Sequence, residues 1–127
     1  REYGRCLGMS FQIEDDLLDF VGSEQELGKP VGSDLRQGIV TLPVYHFLQE
    51  DGRRERWVQA LASKDGARDA VVEDLVQEIP LSPAIDTCRA EARDFARQAQ
   101  DALALLPDLP QKQVLLDLVS SLLDRRR

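Results

Sequence analysis

Three aspartates, Asp15, Asp16 and Asp19, are the residues of this chain whose types and spacing best suit chemistry. They lie in the stretch FQIEDDLLD, where apolar residues recur at helical spacing. Carboxylates crowded onto a helix that its apolar residues indicate to be buried repel one another and lose hydration, so they need a compensating cation or proton. Asp15 and Asp19 stand one helical turn apart and share a face, with Gln12 one turn earlier. A few hard oxygen ligands, with room for water and a substrate phosphate, suit Mg²⁺.

The residues that follow, 22–38, predict a long loop with complementary chemistry. Lys29 supplies a mobile ammonium group, and glycines allow a ligand to approach the backbone closely. These glycines are Gly22, Gly28, Gly32 and Gly38. The spacing from Gly22 to Lys29 is one residue too long for a Walker A loop, and Pro30 follows the lysine where that motif has Ser or Thr. A loop of this length favours a functional role, and a phosphate would satisfy both the lysine and the glycines.

Together these segments resemble a known family. FQIEDDLLD followed by GKPVGSDLRQG and TLP resembles the second aspartate-rich motif and the following loop of the trans-polyprenyl diphosphate synthases, which have the isoprenoid synthase fold. The positions that agree in order and spacing are Phe11, Gln12, Asp15, Asp16, Asp19, Gly28, Lys29, Gly32, Asp34, Leu35, Thr41, Leu42 and Pro43. The resemblance implies an all-α helical bundle and spans the chain from its first residues to its end.

The same resemblance implies the roles of the site residues. Asp15 would bind Mg²⁺ directly, and Asp16 and Asp19 would hold metal-bound water or the ion itself. Gln12 and Lys29 would contact the allylic diphosphate. Members of the family condense isopentenyl diphosphate with an allylic prenyl diphosphate, head to tail, and release pyrophosphate. They are commonly dimers, so we expect a homodimer.

Two departures from the family pattern affect this interpretation. The family has a second lysine after Gly38, where this chain has Ile39, and we hypothesise that another cation such as Arg36 compensates. The first aspartate-rich motif and its arginines are also missing. We therefore interpret residues 1–127 as the C-terminal portion of a synthase domain, with the motif and diphosphate loop at 8–43, and we expect no catalysis from this portion alone.

A second interpretation assigns the chain to a different functional class. It could be a non-catalytic helical module, either a regulatory subunit of a heteromeric synthase or a degenerate paralogue. The intact aspartate triad favours the enzyme, whereas Ile39 and the absent first motif are compatible with the module.

The elements that must position the site are all helical. Apolar residues at a period near 3.6 predict about six helices, and no segment has a strand pattern. The predicted ranges are 2–21, 41–49, 54–62, 67–79, 82–106 and 111–123. Within them we expect Trp57, Val58 and Leu61 to face inward, Thr41 to cap its helix, and the alanines of 82–106 to pack closely.

Composition bounds the remaining possibilities. Hydrophobic residues make up 43% of the 127, which is enough for a core. The net charge of −7 argues against a nucleic-acid-binding protein, because the phosphates would be repelled. The one basic cluster in the sequence is the terminal Arg125, Arg126 and Arg127, which is typical of a solvated helix end. Cys6 and Cys88 lie far apart, which suggests a reducing compartment and hence the cytoplasm. No apolar run approaches the roughly 20 residues of a spanning helix, so any membrane association is at most peripheral, through a lipidic product.

Overall fold

A computed structural model describes residues 1–22, 28, 30–50, 52–64 and 66–124. These residues form α-helices and contain no strand, which confirms the all-α prediction. The helices are α1 (Glu2–Val21), α2 (Ser33–Arg36), α3 (Leu42–Glu50), α4 (Arg54–Ala62), α5 (Gly66–Glu78), α6 (Pro83–Leu103) and α7 (Pro110–Asp124), with a 3₁₀ turn at Ile79–Leu81. Lys29 and the three terminal arginines lie outside the described residues.

The long helix α1 has the predicted bounds, but only one of its apolar strips is fully buried. Ile13, Leu17 and Phe20 are buried, whereas Phe11 on the other strip is 50% exposed. Apolar side chains of α1 are therefore buried along one face of the helix only. The exposed face includes Phe11 and, one turn further along, Asp15.

The chain divides into two compact units, of which the first contains residues 1–14 and 89–127. Its core is built from small side chains, which allow helices to approach closely: Cys6, Ala96, Ala99 and Val119. Side-chain hydrogen bonds, two of them to backbone carbonyls, tie α1 to its neighbours here. The Tyr3 hydroxyl donates to the Leu115 carbonyl at 3.0 Å, and Ser10 Oγ donates to the Ala92 carbonyl at 2.7 Å. The predicted close packing along the alanine face of α6 is confirmed.

The second unit contains residues 15–88. Its largest fully buried side chains include Leu17, Leu35 and Leu75. Trp57 is buried beside Phe47, with the ring centroids 6.2 Å apart, and the Arg53 guanidinium lies 4.9 Å from the centroid of the Trp57 ring. Trp57 is a core residue as predicted, but Val58 is 45% exposed, so its inward prediction is wrong.

Two boundary predictions differ from the structure for local reasons. The predicted loop 22–38 contains the short helix α2, which the sequence pattern did not indicate because four residues are too few for a period to appear. Thr41 does not cap α3: its hydroxyl is buried and finds no hydrogen-bond partner in the described part of the chain, and its carbonyl accepts the Tyr45 amide.

Both cysteines are free and buried, as expected of small core residues. Burial raises the pKa of the Cys6 thiol, which keeps it in the neutral form. Among the residues described, no helix has the length and apolar character required to cross a bilayer.

Candidate functional site

The three aspartates of the motif lie on the last two turns of α1 in very different surroundings. Asp15 is exposed and Asp16 is half-buried, whereas Asp19 is only 3% exposed. Gln12 is exposed one turn before Asp15. Helical spacing therefore places one accessible carboxylate and one accessible amide side by side, as the sequence predicted, while the third aspartate of the motif faces the protein.

Asp19 connects α1 to the following loop through three hydrogen bonds. Its backbone carbonyl accepts the Gly32 amide at 2.8 Å. Its carboxylate accepts the Ser33 amide at Oδ1, 3.2 Å, and the Asp34 amide at Oδ2, 3.0 Å. Backbone amides at the start of a helix have no partner within the helix, and here the Asp19 carboxylate supplies one for the first turn of α2. The aspartate thus fixes where α2 begins within the loop.

Gly32 makes this close approach possible. Its φ of 76° lies in the left-handed region, where a side chain is strained. A Cβ at this position would also lie 3.3 Å from Cβ and 3.2 Å from Cγ1 of Val76, and still closer to Cγ2. The loop is therefore pinned between α1 and α5 at a residue that has no room for a side chain.

The position that departs from the family pattern directly follows the predicted loop 22–38. Ile39 is 49% exposed, and its amide donates to the Asp34 carbonyl at 2.9 Å. Arg36 forms an ion pair with Glu73, and its Nε donates to the Val31 carbonyl at 3.0 Å. The hydrogen bond from Arg36 holds the pKa of Glu73 below its ordinary value. These contacts engage Arg36 within the unit, which argues against the hypothesis that it replaces the missing lysine.

The donor set fits a magnesium site that protein ligands fill only in part. No group of three or more His, Cys, Asp or Glu side chains converges on one point among the described residues. Mg²⁺ needs few protein carboxylates, because it retains several waters and binds substrate phosphates. The exposed carboxylate of Asp15 is a donor of the required kind.

Sequence reasoning found the motif but missed one residue that shapes it, Val76, and the hydrogen bonds that Asp19 makes. Val76, which packs on Gly32, lies on a helix far along the chain, and no local pattern connects the two. One feature of the sequence could have indicated the hydrogen bonds to Asp19. Ser33 and Asp34 follow a glycine, and such residues favour the N-terminus of a helix, whose amides need an acceptor.

Comparison with known proteins places these features in context. A sequence model described as "Polyprenyl synthetase" matches residues 1–79. "Heptaprenyl diphosphate synthase component 2" of Geobacillus stearothermophilus is 42% identical over 112 residues, which cover 87% of this chain and 33% of the relative.

Solved structures of prenyl diphosphate synthases also resemble this chain. A heptaprenyl diphosphate synthase from Staphylococcus aureus superposes with a TM-score of 0.88 at 34% identity, covering 99% of this chain and 39% of that one. A polyprenyl synthase from Caulobacter crescentus, complexed with calcium and isoprenyl diphosphate, has a TM-score of 0.77 at 32% identity over 100% of this chain and 39% of its own. The helices described above therefore have the fold of the isoprenoid synthases.

Proposed function

Because the chain belongs to the polyprenyl synthetase family, we propose that it carries the diphosphate- and magnesium-binding half of a prenyltransferase active site. The reaction would be the head-to-tail condensation of isopentenyl diphosphate with an allylic prenyl diphosphate. The chain spans about 38% of the length of curated relatives that it matches, so turnover would require the rest of the family fold. The observation that carries the proposal is the exposed Asp15 on the same helix that fixes the diphosphate loop through Asp19.

Asp15 is the residue best placed to hold Mg²⁺, with Asp16 beside it. The Caulobacter structure is complexed with calcium and isoprenyl diphosphate, and this pairing of a divalent cation with a diphosphate supports a site for both ligands. Bound magnesium would neutralise charge on the departing pyrophosphate. The metal-binding role of Asp19 implied by the family resemblance stays a prediction, and its burial does not favour it.

The side chains of this chain would bind and orient the allylic substrate. Gln12 would donate its amide to the diphosphate, and Lys29 would pair with it as a cation. The bond between the allylic carbon and oxygen breaks, and both electrons leave on pyrophosphate. The double bond of isopentenyl diphosphate then forms the new carbon–carbon bond, and a proton is lost to restore a double bond.

Binding of inorganic pyrophosphate, measured by calorimetry with and without Mg²⁺, tests the half-site directly. The net charge of −7 repels an anion, so we expect measurable binding in the presence of Mg²⁺ and at least tenfold weaker binding in EDTA. Equal affinity in EDTA, or no binding with the metal present, would contradict the proposal.

Restoring the missing lysine should strengthen this binding. Ile39→Lys adds a cation at a position that is already 49% exposed, so the side chain needs no burial. We expect a gain in pyrophosphate affinity of about two- to fivefold, typical of one exposed charge pair. Val40→Lys, at the neighbouring 57% exposed position, is the matched control for a non-specific gain in positive charge. An equal gain in both variants, or none in Ile39→Lys, would show that position 39 has no specific electrostatic role.

A second candidate is a subunit that works only with a partner. The name "component 2" of the Geobacillus relative supports this assembly for that protein, and the intact Asp15 favours a subunit with the catalytic residues. Purification of the polypeptide from its source cells distinguishes the two candidates, because a second protein would accompany it in stoichiometric amount. Homodimer formation and the cytoplasmic location stay predictions.

A further inference from the structure

We propose that Asp19 is a positioning residue that fixes the diphosphate loop on α1, and that it is not a ligand of the metal. The family resemblance gives Asp19 the same role as Asp16, which is to hold metal-bound water or the ion itself. The inference deepens the proposed function, and rests on it in so far as the loop that Asp19 holds is the one that binds diphosphate.

The contacts of Asp19 are those of an acceptor for backbone amides. Oδ1 accepts the Ser33 amide at 3.2 Å and Oδ2 accepts the Asp34 amide at 3.0 Å, so both carboxylate oxygens are engaged by consecutive residues. The backbone carbonyl of the same residue accepts the Gly32 amide at 2.8 Å. Three consecutive loop amides therefore converge on one residue of α1, which determines the position and direction of the chain at that point.

Burial separates Asp19 from the other two aspartates. It is 3% exposed, whereas Asp15, one turn earlier, is exposed. Mg²⁺ requires near-octahedral coordination at about 2.0–2.1 Å and keeps several of its waters. A hydrated ion would reach the Asp19 carboxylate only after the loop amides had moved aside, while Asp15 can accept the ion without rearrangement.

The loop held in this way is the one that carries Lys29. Lys29 precedes Gly32 by three residues in the sequence, so we expect the anchor at Gly32, Ser33 and Asp34 to matter for the diphosphate contact proposed for the lysine. Loss of the anchor should therefore weaken diphosphate binding without changing the concentration of Mg²⁺ that the site requires. Loss of a metal ligand should instead raise that concentration.

The experiment compares Asp19→Asn with Asp15→Asn in the full 127-residue chain. Amide hydrogen exchange at Ser33 and Asp34 reports the anchor, and calorimetric titration of inorganic pyrophosphate at several Mg²⁺ concentrations reports the site. We expect Asp19→Asn to accelerate exchange at both amides about tenfold or more, since bonds to a charged acceptor are lost or weakened. We expect it also to weaken pyrophosphate binding at an unchanged Mg²⁺ half-saturation. Asp15→Asn should leave the exchange unchanged and raise the Mg²⁺ half-saturation.

Unchanged exchange in Asp19→Asn, or recovery of its pyrophosphate affinity at high Mg²⁺, would overturn the assignment. If Asp19→Asn fails to fold, amide hydrogen exchange in the unsubstituted chain tests the assignment. Ser33 and Asp34 amides that exchange without protection there would also overturn the assignment. If the unsubstituted chain binds no pyrophosphate, the proposed function fails, and the exchange data still decide whether Asp19 holds the loop.

Discussion

Replacing Asp15 with asparagine in the polypeptide isolated from its source cells should lower turnover by roughly 10²–10³-fold, because an active site that loses one group stabilising developing charge typically slows by that factor. Asparagine keeps the size of the side chain and one oxygen, but it removes the negative charge that attracts Mg²⁺. Asp15 is the exposed carboxylate of the motif, so its replacement should leave the packed core intact. The measurement is the steady-state rate at saturating isopentenyl and allylic diphosphates, over a range of Mg²⁺ concentrations.

Asp74→Asn is the matched control for Asp15→Asn. Asp74 is also an exposed aspartate on a helix of the second unit, and its replacement changes the net charge by the same amount. The control should retain full turnover. If Asp15→Asn also retained full turnover, the assignment of Asp15 as the metal-binding carboxylate would be wrong, and with it the proposed site.

Replacing Gly32 with alanine is expected to destabilise the chain by roughly 2–5 kcal/mol. The left-handed φ of 76° costs a residue with a side chain about 1–2 kcal/mol, and a tight overpacked contact adds about 1–3 kcal/mol. The added methyl group would meet the side chain of Val76, which is 8% exposed and belongs to the core of the second unit. The free energy of unfolding, measured by urea denaturation, gives the difference.

Two variants separate the causes of this effect. Gly28→Ala introduces the same side chain at a φ of 68°, where a Cβ would meet nothing within 4 Å, so it measures the backbone strain alone. A double-mutant cycle with Val76→Ala measures the steric contact. A Gly32→Ala chain no less stable than Gly28→Ala would show that α5 does not pin the loop at this residue.

The sequence alone predicted those features that depend on local patterns. The bounds of α1 and α4 follow from apolar residues repeating at helical spacing, and the terminating glycines and prolines are visible in the sequence. The aspartates were recognisable as a site because three carboxylates among apolar residues require an explanation. The fold class followed from the same local information together with the family resemblance.

The remaining features depend on contacts between residues distant in sequence. Asp19 reaches amides 14 and 15 residues away, and a carboxylate that binds backbone amides looks the same in sequence as one that binds a metal. The ion pair between Arg36 and Glu73 joins residues 37 positions apart, which is why the sequence left Arg36 available to replace the missing lysine. Exposure was also beyond prediction: nothing local shows that Phe11 lies on the less covered strip of α1.

The most direct test of the central claim is a product assay on the polypeptide as its source cells make it. It would be isolated with any accompanying subunit and incubated with isopentenyl diphosphate, farnesyl diphosphate and Mg²⁺, and the products would be identified by mass spectrometry. We expect prenyl diphosphates extended by isoprene units, with one pyrophosphate released for each unit added, and no products when EDTA removes the metal. Absence of any extended product while Mg²⁺ and both substrates are present would contradict the claim that these residues form half of a prenyltransferase site.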